Sequence, residues 1–125
     1  MKRIIFTEKA PKPVGPYSQG VEINSTLYIA GQVPIIPETG TMIEGGIREQ
    51  TDQVMKNIGA ILEAAGYSFE DLAKTTCLLS DMADFSAMNE VYGSYFPHNP
   101  PARVTFAARQ LPRGALVEIE AVAAK

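Results

Sequence analysis

The sequence predicts an α+β two-layer sandwich, a mixed sheet with two helices laid on one of its faces. Three observations carry this. Residues 47–65 and residues 84–96 each repeat apolar side chains at helical spacing. The run Leu116–Ala123 alternates strictly in the two-residue period of a strand. Further extended runs stand before, between and after the helices. With 125 residues, of which 46% are hydrophobic and 20% charged, the chain suffices for one core, and residues 1–125 read as a single domain.

In chain order, Ala10–Pro16 is an irregular loop, because Pro11, Pro13 and Pro16 lack backbone donors. Gly20–Ile23 and Thr26–Ala30 are short strands, and the two residues between them, Asn24 and Ser25, predict a tight hairpin. Residues 34–46, with Pro34, Pro37, Gly40, Gly45 and Gly46, form a longer loop. In the first helix Ile47, Val54, Ile58, Ile61, Leu62 and Ala65 share a stripe, opposite Glu49, Asp52, Gln53, Lys56 and Glu63. Gly66 follows in the position that closes a helix. Leu72–Leu79 is a strand. Asp84 is the expected N-cap of the second helix, whose stripe Phe85, Met88, Val91, Tyr92, Tyr95 and Phe96 stops before Pro97. Arg103–Ala108 forms a strand after the Pro100-Pro101 break. In Leu116–Ala123, Val117, Ile119, Ala121 and Ala123 point one way and Leu116, Glu118, Glu120 and Val122 the other. Two helices cover only one sheet face, so the other, still partly apolar, is expected to be covered by further copies of the chain.

Composition narrows the function. A net charge of −3 argues against nucleic acid as the main partner. No apolar run approaches the roughly 18 residues of a membrane span. The run Ile4-Ile5-Phe6 ends at Thr7-Glu8-Lys9, too early for a signal peptide, so a cytoplasmic location is expected. The one cysteine, Cys77, cannot form an internal disulfide and lies in an apolar strand, where a buried, inert thiol is expected. The one histidine, His98, has no carboxylate at metal-ligand spacing, and no nucleophile elbow or phosphate loop is present. What remains is chemistry without metal, nucleotide or covalent nucleophile: general acid–base work on a small molecule, or plain binding.

Five positions stand out for that chemistry. Glu118 and Glu120 project from the same strand face, beside apolar Leu116 and Val122. A carboxylate there needs a cation, a donor or a raised pKa, and the pattern does not choose between the two. Arg103, held at the start of a strand by the preceding prolines, suits a bidentate grip on a carboxylate. Tyr17 ends the proline loop as a candidate pocket wall, and Asn89 lies beside the apolar stripe of the second helix. Arg109 and Arg113 read as surface residues.

The segment Pro101-Ala102-Arg103-Val104-Thr105-Phe106, followed by Leu111-Pro112 and Val117-Glu118-Ile119-Glu120-Ala121, resembles the signature of the RidA/YjgF family. Ala10-Pro11, Gly15-Pro16-Tyr17-Ser18-Gln19-Gly20 and Gly31-Gln32-Val33-Pro34 agree with it, and the likeness spans nearly the whole chain. The resemblance implies a chorismate-mutase-like (YjgF-like) fold, a homotrimer whose sheets meet in a central barrel, and small-molecule clefts between subunits. It implies hydrolysis of reactive enamine and imine intermediates, 2-iminopropanoate and 2-iminobutanoate, to 2-oxo acids and ammonia, with no cofactor. Carried onto this chain, Arg103 binds the substrate carboxylate, and Glu118 orients or deprotonates the attacking water. Tyr17 closes the cleft, Asn89 reaches in from a neighbouring subunit, and backbone groups of Gly31 and Thr105 hold substrate or water. Two positions depart from the family's common pattern: Ala30 stands where Ser is frequent, and Thr105 where Cys is frequent, which removes thiol chemistry there. The alternative is a non-catalytic trimer that binds small carboxylates at Arg103 as a sensor or regulatory partner. RNA cleavage, also associated with the family, ranks below both because the chain is acidic and lacks a His–His or His–Lys pair.

Overall fold

A computed structural model describes all 125 residues. Eight strands and two helices follow one another: β1 (Arg3–Ile5), β2 (Gly20–Ile23), β3 (Thr26–Gln32), β4 (Ile35–Ile36), β5 (Thr41–Met42), α1 (Ile47–Ala65), β6 (Leu72–Leu79), α2 (Phe85–Gly93), β7 (Ala102–Ala107) and β8 (Val117–Ala124). Six strands make one sheet in the order β1-β2-β3-β8-β6-β7, parallel only between β6 and β7, and β4 and β5 form a separate small hairpin. The expected mixed α+β sandwich is therefore the observed fold.

The predicted alternation of β8 sets the layers. Val117, Ile119 and Ala123 are fully buried under α1, against Val54, Ile58 and Ile61. The helix α1 begins with the Gly46 N–H donating to Glu49, 2.8 Å away. It ends in a Schellman motif: Gly66 takes φ 85°, its N–H donates to Glu63 O, and the Tyr67 N–H donates to Leu62 O. The β2–β3 turn has both Asn24 (φ 49°) and Ser25 (φ 60°) left-handed, the geometry that lets a two-residue hairpin follow the twist of its strands. On the other sheet face Tyr28, Val104 and Phe106 stay exposed, so this face is uncovered within the chain.

Four features differ from expectation. The strand β1 forms within the segment read only as too short for a signal, because it pairs with β2 (Ile4 opposite Val21). The hairpin β4–β5 lies inside the predicted 34–46 loop. Asp84 makes no side-chain cap to α2. Asp81 caps the preceding 3₁₀ turn instead, its carboxylate accepting from the Ala83 N–H at 2.8 Å. The regular part of α2 also stops at Gly93, and Tyr95 and Phe96 continue the apolar stripe in tighter turns.

Candidate active site

The site starts from an irregularity in β3. Ile29 pairs with Ala121 and Gln32 with Ile119, so Ala30 and Gly31 together face one residue of β8, a bulge. A Cβ placed on Gly31 would lie 2.3 Å from Glu118 Oε2, so the carboxylate rests directly over this backbone and a side chain at position 31 would push it aside. Glu118 projects from β8 on the uncovered face and is half-buried. Burial pushes its pKa up, the nearby Glu120 charge pushes it further, and no donor offsets them. Around it opens a cleft of about 760 Å³, walled by the loop residues Pro11, Val14 and Tyr17, the bulge Ala30-Gly31, and Pro37–Gly40. The structure thus separates the two glutamates that spacing left equivalent. Glu118 enters the cleft, and Glu120 is exposed in a smaller hollow beside Tyr28 and Lys74.

Tyr17, half exposed, lines the cleft, its hydroxyl accepting from the Val14 N–H at 3.3 Å. Three side chains beyond the expected set also face it. Gln19 and Gln32 are almost completely buried, and Arg113, read as plain surface, sits at the rim and donates to Gly40 O at 3.2 Å. Nothing in the local pattern marks the glutamines. Only the folded path of the loops brings them to the cleft.

Arg103, Thr105 and Asn89 form a second group on the opposite side of the sheet. On β7 Arg103 pairs with Thr75 and Thr105 with Cys77, residues whose β8 partners Ala121 and Ile119 point to the helices. Glu118 pairs with Leu78, which faces the other way. The Arg103 guanidinium lies 4.9 Å from the Tyr92 ring centroid and 5.6 Å from that of Phe85. Asn89 lies between those two aromatics on the same face of α2, four residues after Phe85 and three before Tyr92. None of the chain's ion pairs includes Arg103. The buried Asn89 Oδ1 and Thr105 Oγ1 have no hydrogen-bond partner. An arginine outside every ion pair of the chain thus shares this side of the sheet with two buried polar atoms that make no hydrogen bond.

Within one chain, then, Tyr17, Gly31 and Glu118 gather in the cleft, while Arg103, Thr105 and Asn89 gather across the sheet. Asn89 lies with Arg103 and away from the Glu118 cleft of its own chain, on the helix face against which Arg103 packs. Cys77 is fully buried and its thiol pKa is pushed up by burial. No three His, Cys, Asp or Glu side chains converge as metal ligands. No helix is long and apolar enough to cross a membrane.

Comparison with known proteins gives a consistent picture. Residues 7–125 match the family model described as endoribonuclease L-PSP. A RutC family protein of Pyrococcus horikoshii is 56% identical over 100% of this chain and 99% of its own length. A Mus musculus protein named 2-iminobutanoate/2-iminopropanoate deaminase is 48% identical over 98% of this chain and 91% of that one. The crystal structure of a Rid-family protein of unknown function from Yersinia pestis superposes with a TM-score of 0.97 at 44% identity, covering 100% of both chains.

Proposed function

The chain belongs to the endoribonuclease L-PSP (YjgF/RidA) family, and from that premise we propose that it is a cofactor-independent 2-imino acid deaminase, hydrolysing 2-iminopropanoate and 2-iminobutanoate to 2-oxo acids and ammonia. The observation that carries this reading is the pair of half-sites: a donor-less, half-buried carboxylate over Gly31, and an unpaired guanidinium cradled by aromatics on the other sheet face. Neither half suffices for hydrolysis of a carboxylate-bearing imine, and together they supply both requirements.

In the proposed homotrimer, Arg103 of one subunit and the Glu118 cleft of its neighbour meet at an inter-subunit crevice. Arg103 grips the substrate carboxylate, with Asn89 and Thr105 completing the polar lining. Glu118 accepts a proton from a water held near Gly31, and the resulting hydroxide attacks the carbon of the protonated imine to give a neutral carbinolamine. Glu118 then passes its proton to the carbinolamine nitrogen and takes up the hydroxyl proton as the C–N bond breaks. Ammonia departs, the 2-oxo acid remains, and the last proton leaves with ammonia as ammonium. The pKa raised by burial suits this duty, because a more basic carboxylate takes a proton from water more readily. Tyr17 closes the crevice. The imine carbon is already electrophilic, so positioning and one proton transfer suffice.

The test generates the imine with an amino acid oxidase or threonine dehydratase and follows 2-oxo acid release. Wild type is expected to exceed buffer, and Arg103→Ala and Glu118→Gln to equal it. Mixing these two inactive chains should restore activity, since random assembly sets an intact Arg103 opposite an intact Glu118 at roughly a quarter of the interfaces. No acceleration by wild type, together with measurable 2-oxobutanoate binding, would make the protein a carboxylate sensor instead.

A further inference from the structure

We propose that Gln19 is the positioning residue of the cleft, fixing the proline-rich wall and Tyr17 against the Gly31 bulge; this rests on the deaminase reading above. Residues 7–16 leave regular structure after β1, and three prolines deprive them of donors. Their only backbone–backbone hydrogen bond is the short Tyr17 N–H to Gly15 O contact. A wall of this kind, built from a loop with so few bonds of its own, should be mobile.

One side chain supplies what the backbone lacks. Gln19 Oε1 accepts from the Thr7 N–H at 2.7 Å, and its Nε2 lies 3.0, 3.2 and 2.9 Å from the carbonyl oxygens of Thr7, Ala10 and Pro11. These partners define the amide orientation, because a backbone N–H can only donate and a carbonyl can only accept. The side chain is 1% exposed, so the hydrogen bonds are sheltered from competing water. The same residue's carbonyl accepts from the Ala30 N–H at 2.9 Å, at the bulge where Gly31 carries the Glu118 carboxylate. Gln19 thus joins the proline-rich wall to the β3 bulge over which the Glu118 carboxylate rests, and it stands two residues after Tyr17. It touches no reacting atom in this account. Its effect runs through the loop.

The experiment compares wild type, Gln19→Leu, which removes all four hydrogen bonds, and Gln19→Glu, which keeps the acceptor but sets an oxygen against three carbonyls. Hydrogen exchange by mass spectrometry is read over residues 7–17, α1 and β8, alongside kcat, KM and the Kd for 2-oxobutanoate. Exchange over 7–17 should accelerate in both variants while α1 and β8 keep their protection. The loss in kcat/KM should be roughly 10–100-fold and fall mainly on KM, with the pH midpoint of kcat unchanged. Unchanged exchange over 7–17, a uniform loss of protection along the chain, or a faster loop with unaltered KM and Kd would each overturn the proposal. Should wild type bind 2-oxobutanoate without deaminating any imine, the reaction reading alone fails, and the Kd of the variants decides the role of Gln19. A wild type that neither turns over nor binds overturns both.

Discussion

Glu118 and Gly31 are one device. The carboxylate is raised in pKa by burial and by Glu120, so the fold favours its protonated form, and ionisation costs stability as pH rises from the unfolded value of about 4.3 through the folded one. In the proposed mechanism the ionised form is the active one, so kcat/KM should climb with pH through a single midpoint above the ordinary glutamate value. Glu118→Gln should lower the rate by about 10²–10⁴-fold. At pH 7 its thermal midpoint should be no lower than that of wild type, the difference vanishing below about pH 4. A variant that melts well below wild type at neutral pH would contradict the assigned shift. Gly31→Ala sets a methyl against the free end of Glu118, a flexible group that can swing away, so the fold should survive while the base is misplaced. The expected result is a loss of roughly 10–100-fold in kcat/KM, with melting lowered by less than about 4 °C. Sequence spacing showed that one of two glutamates sat in partly apolar company. The family resemblance pointed to Glu118, but the physical difference between the two lies in the bulge, which depends on how β3 pairs with β8 and leaves no mark in either strand alone.

Elements with enough residues to repeat were legible. The stripe of α1 and the alternation of β8 each extend over several periods, and the structure keeps both faces as read. The strands β1, β4 and β5 are two or three residues long, below any period, and exist because a neighbour offers hydrogen bonds. The end of α1 shows how such short pieces matter. Arg3 from β1 donates to Ala65 O at 3.0 Å and Lys125 to Gly66 O at 2.7 Å, placing cations on the helix's free carbonyls. Gly66→Ala meets open space but forces a left-handed alanine, and should destabilise by about 1–2 kcal/mol in chemical denaturation. Beside it the Tyr67 hydroxyl donates to Glu22, which also pairs with Arg3. Chiefly through that Glu22 hydrogen bond the Tyr67 pKa is pushed up to about 12. Because the fold favours the protonated phenol, its contribution is complete below about pH 10 and is lost as pH rises through about 12. Denaturation curves between those values should show wild type losing stability faster than Tyr67→Phe. Parallel loss in both proteins would remove the role given to this bond.

At the scale of the whole molecule, the open sheet face and the divided site lead to the same expectation. Tyr28, Val104 and Phe106 stand exposed on the face that carries Glu118, and the Arg103 group waits across the sheet. A second copy that covers the first and completes the second accounts for both. Phe106→Glu should shift sedimentation from trimer to monomer mass, abolish deamination and leave the far-ultraviolet circular dichroism intact. A trimer that persists with this substitution would place the interface elsewhere.

From the sequence alone came the α+β class, the faces of the two helices and of β8, the uncovered sheet face, and the short roster of chemically apt residues. All of these follow from periodicity or composition, which are properties of neighbouring residues. Only the tertiary structure decided that Arg103 keeps company with Asn89 rather than with Glu118, that Gly31 lies beneath the Glu118 carboxylate, and that Gln19 bonds to the loop. Those relations join residues remote along the chain, and they arise from the order in which strands hydrogen-bond across the sheet.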